Sequence, residues 1–343
     1  MNLRTKPAAA RFAALLVLAL AGVSCSSNTI DTAPPTIEPA RAAVSPPAAV
    51  TPAGTVRPLP EHPTAAVFDP AARALVVAAP ATPDTSTLTV VGDTERTIEV
   101  PGHVTAMATD HKGTAYLSTR GGYLEVELGS GITRRVDVAA DNGTADETDF
   151  TAITVRDDGR VVLGSADGAV YLLADDGTVE HRVKIFARVD DLAATGDTAV
   201  VLDRGQTSVT SVNANGKAQQ ALRAGDGATA MDIDAEGRLL VANTRGNELL
   251  VFGVDPLIMR QRSPVPGAPY GIAGSSDLAW VSETANNVVV GYDLATGTPV
   301  EKVRYPTVQQ PDYLAFDNSS GTLYVVSGSG AGVQVIENAA DAP

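Results

Sequence analysis

From Thr64 to Glu337 the chain alternates short apolar runs with turns rich in Gly, Asp and Asn. The pattern repeats. A first run ends near an acid or a small polar residue: TAAVFD from Thr64, TAMATD from Thr105, TAITVR from Thr151 and DDLAAT from Asp190. TAMDID from Thr229, YGIAGS from Tyr270 and DYLAFD from Asp312 complete the series, in steps of 39 to 46 residues. A second aliphatic run follows each (ALVVAA, TAYLST, RVVLGS, TAVVLD, RLLVAN, LAWVSE, TLYVVS) and ends in small or polar residues. Then come a Gly/Asn turn, a third apolar strand and a less regular fourth. Runs this short read as strands, and runs that are apolar at consecutive positions fit sheets packed on both faces. Four strands per unit of about forty residues is the signature of a propeller blade. The expected fold is therefore all-β, a seven-bladed β-propeller over residues 55–338. The last unit has only three strands of its own. Thr55 to Leu59, ahead of the first blade, can supply the fourth and remove a free sheet edge. The one segment with helical character, Val254 to Arg262, contains Pro256 and falls where its blade needs third and fourth strands.

The N-terminal sixty residues lack this repeat. Residues 1–24 have the form of an export signal: Arg4, Lys6 and Arg11, then the uncharged run Phe12 to Val23, too short to span a bilayer. The run closes on AGVSC, with Cys25 the only cysteine of the chain. This junction resembles a bacterial lipobox, although Gly22 and Ser24 stand where an aliphatic and a Gly or Ala are usual. The resemblance implies cleavage before Cys25, attachment of fatty acyl chains to it, and a hold on membrane lipid at the outer face of the cytoplasmic membrane. Residues 25–54 are rich in Pro, Ala, Thr and Ser, which disfavours a packed core and suggests a disordered, lipid-anchored linker. Residues 339–343 are read as a tail.

Composition narrows the function. With 25 basic and 40 acidic residues the chain carries a net charge of −15, and removing the basic leader makes the remainder more acidic still. Such a surface repels phosphate backbones, so no nucleic-acid partner is expected. One cysteine and four scattered histidines exclude an intrachain disulfide and a Cys/His zinc centre. Aromatic residues make up 4% of the chain, which argues against a site lined by stacked rings.

The string LLVANTRGNELLVFGVD (Leu239 to Asp255) resembles the YVTN-type propeller repeat. Over its whole length the chain is similar to the mycobacterial LppL-type conserved lipoproteins, through PPTIEPA, GSADGAVY, KIFARVD, VVLDRGQTSVT, VEKVRYPTVQQP and LYVVSGSGAGVQVIE. That resemblance implies an exported, lipid-anchored propeller and implies no reaction.

Candidate chemistry gathers at the ends of the second strands, where Ala78, Thr119, Ser165, Asp203, Asn243, Glu283 and Ser327 occupy equivalent positions. The loops that follow add Arg120, Arg204 and Arg245, each before a glycine. Three guanidinium groups on one end of an acidic molecule suit a carboxylate or phosphate ligand. The alternative is that they are solvated turn residues. Asp203, Asn243 and Glu283, with Asn286 and Asn287, could supply oxygen ligands for calcium, as in propeller lactonases. Equally, they could cap strand ends. No nucleophile elbow is present, GSGAG (Gly328 to Gly332) precedes a strand where a dinucleotide loop would open a helix, and DIDAEG (Asp232 to Gly237) fits a hairpin turn better than a calcium loop. The function expected is a membrane-anchored, extracytoplasmic binding or scaffolding module for an envelope protein, glycan or small anionic ligand, without a cofactor or bound metal. The alternative is a calcium-dependent hydrolase or lactonase.

Overall fold

The computed structural model describes Met1 and residues 34–59, 62–139 and 148–341; residues 2–24 of the expected export signal and Cys25 lie outside the described residues. From residue 34 onward the structure is all-β. Seven antiparallel four-stranded sheets follow one another in chain order. Blade 1 contains β2 (Ala65–Asp69), β3 (Ala74–Thr82), β4 (Thr85–Val91) and β5 (Arg96–Pro101); blade 2 contains β6 (Ala106–Thr109) to β9 (Thr133–Asp137). Blade 3 runs from β10 (Phe150–Val155) to β13 (Val179–Lys184), and blade 4 from β14 (Asp191–Thr195) through β15 (Thr198–Asp203) to β17 (Ala218–Arg223). Blade 5 holds β18 (Ala228–Ile233), β19 (Arg238–Asn243), β20 (Glu248–Val254) and β21 (Leu257–Pro264); blade 6 holds β22 (Pro269–Gly274), β23 (Leu278–Glu283), β24 (Val288–Asp293) and β25 (Val300–Pro306). Blade 7 combines β26 (Pro311–Asp317), β27 (Thr322–Ser327) and β28 (Val333–Ile336) with β1 (Thr55–Arg57), in the order β1-β28-β27-β26. The first strands of successive blades touch all round, including β26 against β2, so the ring is closed.

The aliphatic runs are explained by packing on both sides of each sheet. In β19, Leu239 and Val241 join a core shared with blade 4, while Leu240 and Ala242 join one shared with blade 6. In β3, Val76 and Ala78 face blade 2, while Leu75 and Val77 face blade 7. Each buried side chain of this kind contributes about 1.5–3 kcal/mol. Val254 to Arg262 forms no helix: β20 ends at Val254 and β21 pairs back on it from Leu257.

Two expectations at the chain ends change. The Pro/Ala-rich stretch was expected to be disordered through residue 54, but its described part lies against the propeller. It forms no sheet there. Instead backbone groups along it are satisfied one by one by propeller side chains and carbonyls. The tail is also partly packed: Ala339 is buried, and the Tyr305 hydroxyl donates to the carbonyls of Ala339 and Asp341, both at 3.0 Å.

Candidate functional site

Thr119, Ser165, Asp203, Asn243, Glu283 and Ser327 each end their second strand, and the structure shows what they do there. Ala78 does not share that position, because it pairs with Ala65 as Leu202 pairs with Asp191 and Ala242 with Ala230, and its strand runs on to Thr82. Both Asp203 carboxylate oxygens accept backbone N–H groups, from Ala187 at 2.8 Å, Arg188 at 3.3 Å and Gln206 at 2.9 Å. Asn243 Oδ1 accepts from Asp226, Gly227 and Gly246, while its Nδ2 donates to Glu248. Glu283 faces Arg304, whose Nη1 lies 3.2 Å from it, and accepts from Asn286 Nδ2 at 2.8 Å. Ser327 Oγ donates to Gln309 and accepts from Ala331. These groups close the turns of the propeller, although Glu283 Oε1 stays buried without a hydrogen-bond partner beside the Arg304 guanidinium. Glu283 is already neutralised by a guanidinium, and the acceptor oxygens of Asp203 and Asn243 are engaged by backbone donors. Such a set does not present converging oxygens to a calcium ion. Among the described residues no group of three His, Cys, Asp or Glu could hold a metal ion.

The three loop arginines separate into two kinds. Arg120, in blade 2, lies 3.8 Å from Asp149, and its carbonyl accepts from Arg135 at 3.0 Å. Arg204 and Arg245, in blades 4 and 5, reach instead to the N-terminal segment. Arg204 Nη2 donates to the carbonyl of Ala40, and Arg245 Nη2 donates to that of Glu38 at 2.6 Å. Residues 36–47 thus form an extended strap across the face that carries these loops, from blade 4 to blade 7.

Further along, Ala43 N–H donates to Thr284 Oγ1 at 3.2 Å, and its carbonyl accepts from Gln310 Nε2 at 3.0 Å. Ser45 N–H donates to Gln310 Oε1, also at 3.0 Å, and its carbonyl accepts from Gln309 Nε2 at 3.1 Å. Asn287 Nδ2 donates to the carbonyl of Pro46 at 2.7 Å. At the other end, Ile37 N–H donates to the carbonyl of Gly205 at 2.9 Å. Ala40 and Ser45 are 6% and 3% exposed, as deeply seated as core residues. A glycine at 227 lets the strap lie this close, since a Cβ there would stand 2.8 Å from that of Ala40. Between strap and face, beside Arg245, an open cleft of about 330 Å³ remains. A larger cleft of about 740 Å³ lies at the opposite end of the ring, lined by Arg238, Asp277, Lys302 and Asp341 among others. Sequence reasoning singled out Arg204, Arg245 and Asn287 but missed Thr284, Gln309 and Gln310.

Three carboxyl groups near the inner strands are held far from their ordinary acidity. Burial pushes Asp191 up to about 7 and Asp232 up to about 6, against partial relief from backbone donors. One donor to each comes from the next blade, Met231 N–H to Asp191 at 3.3 Å and Gly274 N–H to Asp232 at 2.8 Å, and one from the following residue of its own strand, Leu192 and Ile233. Asp312, also raised to about 6 by burial, accepts from the strap-holding Gln310 at 2.9 Å. A carboxyl whose pKa is raised by folding stabilises the fold while protonated, and that contribution is lost as pH climbs from about 4 to about 7. Carboxylates held low, such as Asp293 by the Ala295 amide and Glu301 by Arg304, act oppositely and only at more acid pH. The melting temperature is therefore expected to peak on the acid side, near pH 4–5, and to fall towards pH 7.5. Asp191→Asn should flatten that fall. Differential scanning fluorimetry across this range checks it, and parallel profiles for variant and wild type would contradict it.

No family model matches the chain, and none of the curated proteins is similar to it in sequence. Among solved structures the chain is similar to a streptogramin B lyase, with 12% identity over 82% of this chain and 96% of that one and a TM-score of 0.65. It is also similar to U3-55K, with 15% identity over 82% and 97% of the two chains and a TM-score of 0.68. The virginiamycin B lyase of Staphylococcus aureus aligns with 11% identity over 78% and 92% and a TM-score of 0.63. At these identities the likeness shows a shared propeller fold, on which function has to be argued from the site.

Proposed function

We propose that the chain is a lipid-anchored, extracytoplasmic propeller of the LppL type, fixed through Cys25 to the outer face of the cytoplasmic membrane. In this reading it works as a binding or scaffolding module on the face formed by the loops between second and third strands. One observation carries the reading: side chains from four successive blades, Arg204, Arg245, Thr284, Asn287, Gln309 and Gln310, converge there on main-chain groups that are not part of any sheet. Convergent donors and acceptors on loops held by rigid strand ends are the ordinary construction of a recognition surface. The export signal and the lone cysteine at its end support the anchoring half.

One experiment addresses both halves. A photo-crosslinking residue replaces Arg120, on the proposed face, or Asp175, in a turn at the opposite end, in cells carrying either Cys25 or Cys25→Ala. Membrane-associated protein that forms a defined adduct from position 120 and not from 175, with both association and adduct lost in Cys25→Ala, is the expected result. Equal adducts from both ends, or unchanged membrane association of Cys25→Ala, would contradict it.

A further inference from the structure

The way the strap is held says what kind of ligand this face is built to read. All but one of the hydrogen bonds that hold it address the strap's main chain: carbonyls of Glu38, Ala40, Ala43, Ser45 and Pro46, and amides of Ile37, Ala43 and Ser45. The exception is the buried Ser45 hydroxyl, which donates to the Thr284 carbonyl. The charged strap side chains are not read. Glu38 and Arg41 pair only with each other, at 3.2 Å, in solvent. Proline fits where no donor is called for, at positions 39, 46 and 47. Small side chains are required at two buried places, those of Ala40 and Ser45.

Two further observations show that the groups on the propeller are prepared for such a chain. Gln310 holds its backbone at φ 56°, a conformation uncommon for a residue with a long side chain, and its amide both donates to Ala43 and accepts from Ser45. Asp312 fixes the orientation of that amide. Arg204 keeps a buried Nε with no hydrogen-bond partner, so the strap leaves part of the guanidinium unsatisfied.

We infer that this face is a binding site for extended, proline-punctuated peptide main chain with small residues five positions apart, and that residues 36–47 are its occupant in cis. The same segment of another copy of the chain binds when the strap leaves. The inference rests on the reading of this face as a binding surface and narrows its ligand.

The probe is a fluorescent peptide of residues 34–48, PPTIEPARAAVSPPA, added to the mature full chain. A strap tethered a few residues from β1 competes at an effective concentration of order millimolar. Wild type should therefore bind the peptide at least about tenfold more weakly than a chain whose strap is expelled by Ala40→Trp and Ser45→Asp. Adding Arg204→Ala and Arg245→Ala to that chain should weaken binding about tenfold again. A peptide N-methylated at the Ile37, Ala43 and Ser45 positions should not bind. Equal affinity of wild type and strap-expelled chain, or no binding to either, overturns the inference.

A second arm avoids the risk of misfolding. A protease site inserted between Pro47 and Gly54 of the otherwise unaltered chain allows the strap to be cut while seated. The cut strap should stay bound and exchange with labelled peptide; immediate loss without replacement overturns the proposal. If peptide binding fails while the crosslink at position 120 still forms, the ligand class is wrong and the binding face stands.

Discussion

A chain truncated after Pro60 is expected to be less stable by about 2–4 kcal/mol than one truncated after Val50, although only ten further residues are removed. Thr55, Val56 and Arg57 pair with Val335, Gln334 and Val333, and they are the fourth strand of blade 7. The side chains of β1 are exposed, so apolar burial contributes little within the strand itself. The stabilisation comes from backbone hydrogen bonds worth about 0.5–1.5 kcal/mol each, and from anchors on either side. Ala53 N–H donates to the Pro306 carbonyl at 3.0 Å, Gln334 Nε2 donates to the Ala53 carbonyl at 2.8 Å, and Leu59 packs into the core between blades 7 and 1. Without them β28 becomes an unpaired edge, which also favours association between copies. Gly54→Ala tests the same closure with one atom group. Gly54 has φ 68°, and a Cβ there would stand 2.1 Å from the Val335 carbonyl oxygen, so a loss of roughly 2 kcal/mol is expected. Urea denaturation measures both. Equal midpoints for the two truncations would show that blade 7 does not depend on this strand.

Trp280→Ala should be among the most damaging single substitutions, at about 3–5 kcal/mol. Trp280 is 0% exposed and stacks on Phe316 of blade 7 at 5.8 Å and on Tyr305 of its own blade at 6.5 Å. Truncation leaves a cavity that rigid sheets on either side cannot collapse to fill. Trp280→Phe should cost much less, roughly 1–2 kcal/mol, because it keeps a ring between the blades and removes an indole N–H that has no partner. As the only tryptophan, Trp280 also reports on this interface directly, and its native emission should be blue-shifted until the ring opens. Similar losses for the Ala and Phe variants would mean that the stacking is incidental.

The blades were legible because each second strand is apolar at consecutive positions. Leu239 to Ala242 and Leu278 to Val281 serve two cores at once, and only sheets stacked face to face ask for that. The residues that line the turns were legible as a set but not in their roles. Asp203, Asn243 and Glu283 align because each closes the same turn, and the sequence alone could not tell a cap from a metal ligand. The strap was not legible at all. Docking of this kind leaves no periodicity, since apart from the Ser45 hydroxyl the propeller reads carbonyls and amides that every residue carries. The groups that read it, Gln309 and Gln310 in VQQP and Asn287 in ANNVVV, look like ordinary turn residues.

Residues 36–47 are seated on the propeller, and amide hydrogen exchange of the chain measures that seat residue by residue. The amides of Ile37, Ala43 and Ser45 each have a propeller acceptor, so they should exchange at least about tenfold more slowly than in the free peptide of residues 34–48. Arg41, exposed and with no propeller acceptor for its N–H among the described residues, supplies the unprotected comparison within the same segment. In the Arg204→Ala, Arg245→Ala chain the protection of Ile37 should fall, while amides of β19 and β23 keep theirs. Exchange of all three strap amides at the free-peptide rate in the unaltered chain would contradict the account.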